Sequence, residues 1–260
     1  MSESVHIVFG TASRPSLSRE GGTNQDSLGV VAVQMHDSVN NCSFWVACLA
    51  DGMGSLHCPE MASSLAVRVA LQEAFSAEFS LDTRPARMIV KANNAVIAAA
   101  AGRNWGTTLT CVISSVDQIY LGHVGDSRVI LVRDGIGRCV TVDHTRLAET
   151  MGVPVPSLDA VKASPLARSL SKSLGEMPFD ESYVYVPQAQ YQPRPGDHLV
   201  ICSDGVWTEI PEREMADTVT THAPQQAAET LVELALYRDP TDDASAIVFF
   251  YPFDKSIAVS

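Results

Sequence analysis

Aspartates stand at five boundaries between an apolar run and a tight polar turn in this chain. Phe44–Ala50 ends in Asp51-Gly52-Met53-Gly54, and His198–Cys202 ends in Ser203-Asp204-Gly205. Leu121–Val124 ends in Gly125-Asp126-Ser127-Arg128. Asn24-Gln25-Asp26 leads into Leu28–Met35, and Thr241-Asp242-Asp243-Ala244-Ser245 leads into Ala246–Tyr251. Asp and Gly mark turns for conformational reasons alone, so one such Asp carries little information. Five of them, at the ends of strongly apolar runs, bring carboxylates close to a core, where an unpaired charge is costly. Lysines and arginines near these turns are few, Arg128 being the main one, so metal ions are the obvious remaining partner. Ligation by carboxylates, a carbonyl and water suits Mg²⁺ or Mn²⁺ rather than zinc. The glycines let a backbone carbonyl come close to an ion or substrate.

The elements that position these residues are mostly strands. Runs rich in Val, Ile and aromatic residues predict strands over His6–Phe9, Leu28–Met35, Phe44–Ala50, Thr108–Ser114, Ile119–Val124, Arg128–Arg133, Tyr183–Val186, His198–Cys202 and Ala246–Tyr251. Asp134-Gly135 is a turn signal closing the sixth of them. Helical spacing of apolar residues predicts helices over Pro59–Phe79, Pro85–Ala101 and Gln225–Leu236. Strands and helices do not alternate, which disfavours a doubly wound parallel sheet and favours antiparallel sheets covered by helices. The Ser/Pro-rich stretch from about 141 to 178 is long for a plain connection and has the character of a lid or binding segment. No repeat or linker divides the chain, so 1–260 reads as one domain.

The formal net charge is −12. That excess of acid argues against sequence-independent nucleic-acid binding, which needs cations to replace phosphate counterions, and against an anionic membrane surface. A protein this acidic that acts on phosphate must neutralise its own field locally, and divalent cations would do so. The six cysteines form no CxxC pair and read as small buried hydrophobes, not a disulfide framework or a zinc site. Met1–Gly10 lacks the pattern of a signal peptide, and no apolar stretch approaches the ~20 residues of a membrane span. The expected location is cytoplasmic.

Taken in order, the motifs resemble those of the metal-dependent protein phosphatase family (PPM, the type 2C Ser/Thr phosphatases) in its bacterial form. They are Asn24-Gln25-Asp26, Ala50-Asp51-Gly52-Met53-Gly54, Trp105-Gly106-Thr107-Thr108-Leu109, Val124-Gly125-Asp126-Ser127-Arg128, Ser169-Leu170-Ser171-Lys172-Ser173-Leu174-Gly175, Cys202-Ser203-Asp204-Gly205 and Asp242-Asp243-Ala244-Ser245. The resemblance implies an α+β fold, a four-layer αββα sandwich of two antiparallel sheets flanked by helices, with a flap-like segment at about 141–178. It implies hydrolysis of phosphoserine and phosphothreonine in proteins by a water activated by Mn²⁺ or Mg²⁺, two ions per site with room for a third. Asp51 would bridge the two ions, the Gly52 carbonyl would bind one, and Asp204 and Asp242 would hold the other. Asp26 would act through metal-bound water, and Asp126 with Asp204 would hold the third, weaker ion. The implied partner is a phosphorylated protein, opposite a Ser/Thr kinase, with no nucleic acid or membrane involved and the chain acting as a monomer.

Four departures bear on this expectation. Gly21 stands where the family carries a phosphate-binding Arg, leaving Arg19 or Arg14 to substitute, with Arg19 the candidate for substrate phosphate. Gln25 replaces a common acid, and Met53 stands where some members have a His that protonates the leaving group; His57, the nearest imidazole in sequence, reads as a loop histidine. Asp243 replaces the common Asn, and the added charge is expected to favour tighter metal binding. Arg128 is expected to pair with a carboxylate, His144 to serve structurally, and Thr107-Thr108 to bond within their strand. The competing reading is a catalytically weak or inactive phosphatase-fold module that binds a phosphorylated partner. A further one keeps the chemistry on a small phosphoester.

Overall fold

A computed structural model describes residues 7–19, 21–36, 41–76, 80–115, 117–177, 179–187 and 191–252. Its strands form two antiparallel sheets. β2 (Asp26–His36), β3 (Asn41–Asp51), β4 (Leu109–Ser114) and β5 (Ile119–Val124) make one sheet in that order. The other runs β1-β9-β8-β6-β7, built from β1 (Val8–Arg14), β6 (Arg128–Arg133), β7 (Ile136–Cys139), β8 (His198–Cys202) and β9 (Ala244–Phe250). The central strands are apolar on both faces because both faces are covered. In β3, Val46, Cys48 and Ala50 pack under helices α1 (Pro59–Glu73) and α2 (Arg84–Ala100), while Ala47 and Leu49 join the layer between the sheets. In β8, Val200 and Cys202 pack under α6 (Glu212–Thr221) and α7 (Pro224–Arg238), while Leu199 and Ile201 face the other sheet. Successive side chains of a strand point to opposite faces, so each run feeds two cores at once. The result is the expected αββα sandwich.

Several boundaries differ from expectation. β1 runs from Val8 to Arg14, past the expected end at Phe9, because pairing with β9 from Val8↔Phe250 to Arg14↔Ala244 recruits its polar half; His6, the expected start, lies outside the described residues. Tyr183–Val186 is not a strand: Glu181–Tyr183 is a 3-10 turn, and only Tyr185 reaches β5, bridging His123. β7 and α6 escape the periodicity reading because β7 has no apolar run and α6 buries few apolar residues on a polar body. α1 ends at Glu73, short of Phe79, and residues 77–79 lie outside the described set. The stretch 141–178 contains α3 (Arg146–Met151), α4 (Leu158–Ala163) and a 3-10 turn, Pro165–Arg168. α5 (Asp204–Trp207) is a single turn directly after β8.

Register brings the aspartates to one end of the sandwich. Asp26 opens β2 and pairs with Asp51, which closes β3. Arg128 pairs with Cys202, and Cys202 with Ala246, so Asp126, Asp204 and Asp242 share that edge in the other sheet. Arg14 pairs with Ala244, so the segment after β1 emerges there too. Among the described residues no helix is long and apolar enough to cross a membrane.

Candidate active site

Asp51, Gly52, Asp126, Asp204, Asp242 and Arg19 line one cleft of about 440 Å³, together with Met53, Thr108, Arg168 and Leu170. Asp26 lies behind it, only 5% exposed. A second groove of about 430 Å³ adjoins the cleft through Asp126, Arg168, Asp204 and Asp242 and runs between the α4 segment and Trp207–Glu209. His57 is exposed, with its backbone N–H on the Asn104 carbonyl, and does not line the cleft.

The Asp51 turn is braced from two sides. Thr108 Oγ1 accepts the Asp51 N–H at 2.9 Å, and the Asp51 carbonyl accepts Thr107 Oγ1–H and Thr108 N–H, each at 2.8 Å. Leu174 in turn exchanges backbone bonds with Thr107, and Gly175 N–H reaches Asn93 Oδ1 on α2 at 2.7 Å. The threonine pair therefore works across the site rather than within its own strand as expected from sequence. Gly52 tolerates no side chain: a Cβ there would lie 2.4 Å from the Pro59 carbonyl oxygen and 2.8 Å from that of Gln25. That tight approach lets the turn after β3 sit directly against the start of α1 and the end of the Asn24-Gln25-Asp26 motif.

The other carboxylates are seated as firmly. Ser203 Oγ donates to Asp26 Oδ2 at 2.7 Å and accepts the Ser245 N–H at 3.1 Å, tying β2 to β8 and β9. The Asp204 carbonyl accepts Thr208 N–H and Oγ1–H, and Asp242 Oδ1 accepts the Asp243 N–H at 2.9 Å. The Asp126 carbonyl accepts the Trp207 indole N–H at 2.9 Å. Behind this turn, Arg128 pairs in two bonds of 3.0 and 2.7 Å with buried Asp143 and lies 3.6 Å over the Trp207 ring, the structural pairing expected for it. His144 Nδ1 accepts the Gly125 N–H at 3.1 Å, and His123 Nε2 lies 2.9 Å from the Gly125 carbonyl oxygen, so both imidazoles shape the turn that carries Asp126. Burial pushes His123 down to about 4. Burial, then His123 and Lys172, push His144 down to about 3. At the base of 141–178, Ser171 N–H meets the His144 carbonyl and Arg146 N–H the Ser169 carbonyl, so the segment is an excursion pinched at its root.

Electrostatics single out the carboxylates. Burial is the main cause that lifts the Asp51 and Asp126 carboxyls well above the ordinary range, with Asp204 among the neighbours adding to it in both cases. Burial, reinforced by Asp204 and Asp243, lifts Asp26 to about 7; burial and Asp204 lift Asp242 to about 7. Asp26 Oδ1 and Asp204 Oδ1 are buried without a hydrogen-bond partner. Carboxylates crowded and desolvated in this way fit divalent cations bound among them. Among the described residues no three His, Cys, Asp or Glu side chains form a cage able to hold an ion unaided, so carbonyl and water ligands belong to any such centre. An all-oxygen set of this kind fits Mg²⁺ or Mn²⁺.

Two residues behave differently from the sequence reading. Asp243 turns its carboxylate to the segment before β2, accepting from Ser16 N–H at 2.7 Å, Gln25 N–H at 2.9 Å and Arg19, and does not line the cleft, where an added metal ligand would be expected. Arg168, exposed and shared by both grooves, is a cation the motif reading passed over because it lies in the weakly patterned stretch.

Comparison with known proteins identifies the family and the fold. Residues 15–235 match the family described as Protein phosphatase 2C. The serine/threonine phosphatase stp of Listeria innocua is 29% identical over 182 residues, covering 66% of this chain and 70% of its own length. The Mycobacterium tuberculosis serine/threonine phosphatase PstP/Ppp shares the fold, with a TM-score of 0.76 at 23% identity over 95% of this chain and 99% of that one. The catalytic domain of PstP solved with two manganese ions superposes with a TM-score of 0.73 at 22% identity over 94% and 97% of the two chains. Most of the chain lies within the family match, from the loop before Asp26 to helix α7, and the chain therefore belongs to the protein phosphatase 2C family and is a protein phosphatase.

Proposed function

We propose that this chain hydrolyses phosphoserine and phosphothreonine in proteins, using Mn²⁺ or Mg²⁺. Asp51, the Gly52 carbonyl, Asp204 and Asp242 would hold two ions, and Asp126 with Asp204 a third, weaker one. When bound, such ions lower the pKa of water and neutralise charge on the phosphoryl oxygens. The observation that carries this reading is the convergence of four buried or half-buried carboxylates, Asp51, Asp126, Asp204 and Asp242, on one cleft with Asp26 behind them, and with Asp26 Oδ1 and Asp204 Oδ1 unsatisfied. Asp26 contributes from behind, its carboxylate oriented by Ser203. Arg19 lines the cleft and would supply the cation that Gly21 lacks, which supports turnover over mere binding. The excursion at about 141–178 forms one wall of the adjoining groove, where a phosphoprotein segment beside the phosphorylated residue would lie. Preorganised charge around the transferring group supplies most of the stabilisation such a reaction needs.

The test is phosphate release from a phosphoserine or phosphothreonine peptide with and without Mn²⁺, for wild type and Asp204→Asn. Mn²⁺-dependent release by wild type, cut at least about a hundredfold in the variant, supports the reading. Equal release by both, or binding of the peptide without turnover at saturating Mn²⁺, defeats it. A small phosphomonoester run in parallel separates a protein substrate from a small one by the ratio of kcat/KM values.

A further inference from the structure

We propose that Asp243 is the positioning residue for a relocated phosphate-binding arginine, Arg19, so that two departures of this chain from its family, Gly21 and Asp243, form one device. The proposal rests on the phosphatase reading above and on Arg19 as the cation that meets substrate phosphate. Arg19 lies two residues before the position where that cation is expected. Gly21 and Gly22 both adopt left-handed backbone, φ +90° and +61°, and the Gly22 N–H returns to the Arg19 carbonyl at 3.2 Å. The turn folds Arg19 back over the segment it precedes: its Nη1 lies 2.8 Å from the Thr23 carbonyl oxygen. The same Nη1 lies 2.7 and 2.6 Å from the two carboxylate oxygens of Asp243. These contacts engage one edge of the guanidinium. Nε and Nη2 make no hydrogen bond among the described residues, and the side chain lines the cleft beside Asp51 and Gly52. That edge is the fork that binds two phosphate oxygens at once.

Asp243 suits this task in a way Asn would not. It is 3% exposed, where a carboxylate is tolerated only when fully partnered. Oδ1 accepts from Ser16 N–H and Arg19, and Oδ2 from Gln25 N–H and Arg19. Both oxygens are therefore needed as acceptors. An amide in either orientation would set its NH₂ against Arg19 and one backbone N–H, a donor facing donors. The acid thus binds the loop after β1, the start of the Asp26 motif and the phosphate cation into one unit, with Asp242 beside it at the metal face.

The experiment measures kcat, KM for a phosphopeptide, the inhibition constant of inorganic phosphate and the Mn²⁺ concentration for half-maximal activity. The enzymes are wild type, Arg19→Ala, Arg19→Lys, Asp243→Asn and the Arg19→Ala/Asp243→Asn double variant, with melting temperatures as the folding check. Each single variant is expected to raise KM and the phosphate inhibition constant about tenfold, the loss of one charged hydrogen-bonded contact, with kcat and the Mn²⁺ requirement little changed. The double variant should be no worse than Arg19→Ala, because the two residues act as one unit. Arg19→Lys should behave like Arg19→Ala, since an ammonium cannot grip Asp243 and fork phosphate together. This variant alone decides the matter if Asp243→Asn fails to fold. A normal KM in Arg19→Ala removes Arg19 from the site and the proposal with it. A raised KM in Arg19→Ala with a normal one in Asp243→Asn refutes the positioning role and leaves Arg19 in place. A shifted Mn²⁺ requirement in Asp243→Asn at unchanged KM assigns Asp243 to the metals and overturns the proposal.

Discussion

Replacing Thr108 by Val tests whether the brace behind Asp51 holds the centre. Val matches the shape of Thr, so the change leaves almost no cavity and removes one hydroxyl. That hydroxyl is 2% exposed as a residue, accepts the Asp51 N–H at 2.9 Å and meets Ser127 Oγ at 3.1 Å. Both partners lose their bond, Ser127 in a fully buried position and the Asp51 N–H at the floor of the cleft. A buried group left unsatisfied costs about 1–3 kcal/mol; Ser127 is free to rotate its hydroxyl, so the total is about 2–4 kcal/mol. For a chain of this size that lowers the melting temperature by roughly 4–16 °C. Because Asp51 would lose one of its anchors, the Mn²⁺ concentration for half-maximal activity should rise about tenfold, the usual effect of removing a partner that orients a metal ligand. Urea unfolding gives the stability term, and a Mn²⁺ titration of phosphatase activity gives the second. A variant within about 0.5 kcal/mol of wild type, with an unchanged Mn²⁺ requirement, would refute the bracing argument.

Other perturbations follow from the same contacts. Arg128→Met strands Asp143 as an unpaired buried charge and should cost about 3–5 kcal/mol in urea unfolding, whereas the Arg128→Met/Asp143→Leu double variant should recover most of it. Gly52→Ala should yield insoluble or inactive protein, since its Cβ would lie 2.4 Å from the Pro59 carbonyl oxygen; normal activity in that variant would mean the turn is free to move. His123 is held neutral down to about pH 4, against 6.5 when unfolded, so below pH 6.5 the unfolded chain takes up a proton that the folded one refuses. Stability should therefore fall as pH drops from 6.5 towards 4, by about 1.4 kcal/mol per pH unit from this residue alone. Comparing wild type with His123→Gln at pH 7, 6 and 5 isolates the effect, and equal acid slopes would show that His123 is not the cause.

Much of this molecule was legible in order of residues. The aspartates of the cleft follow from apolar runs that stop at acidic turns, because a buried strand and the turn that ends it each leave a local signature, whereas the sandwich was implied by the family resemblance of the ordered motifs. Ile119–Val124, Arg128–Arg133 and His198–Cys202 have the bounds read from sequence, since each is continuous, apolar and flanked by turn residues. β7 and α6 were not visible because tertiary contacts, not their own apolar content, hold them. Tyr183–Val186 carried strand composition without a neighbour to extend along. Long-range partnership is what the sequence could not supply: that Thr107 and Thr108 grip Asp51, that Ser203 orients Asp26, and that Asp243 looks away from the cleft to Arg19. Residue types and spacing determined which chemistry this chain carries. Only the pairing of β1 with β9, and the seating of the Asp26 motif against the turn before β9, brought residues 16, 19, 25 and 243 within hydrogen-bonding reach, and so set Arg19 at the cleft.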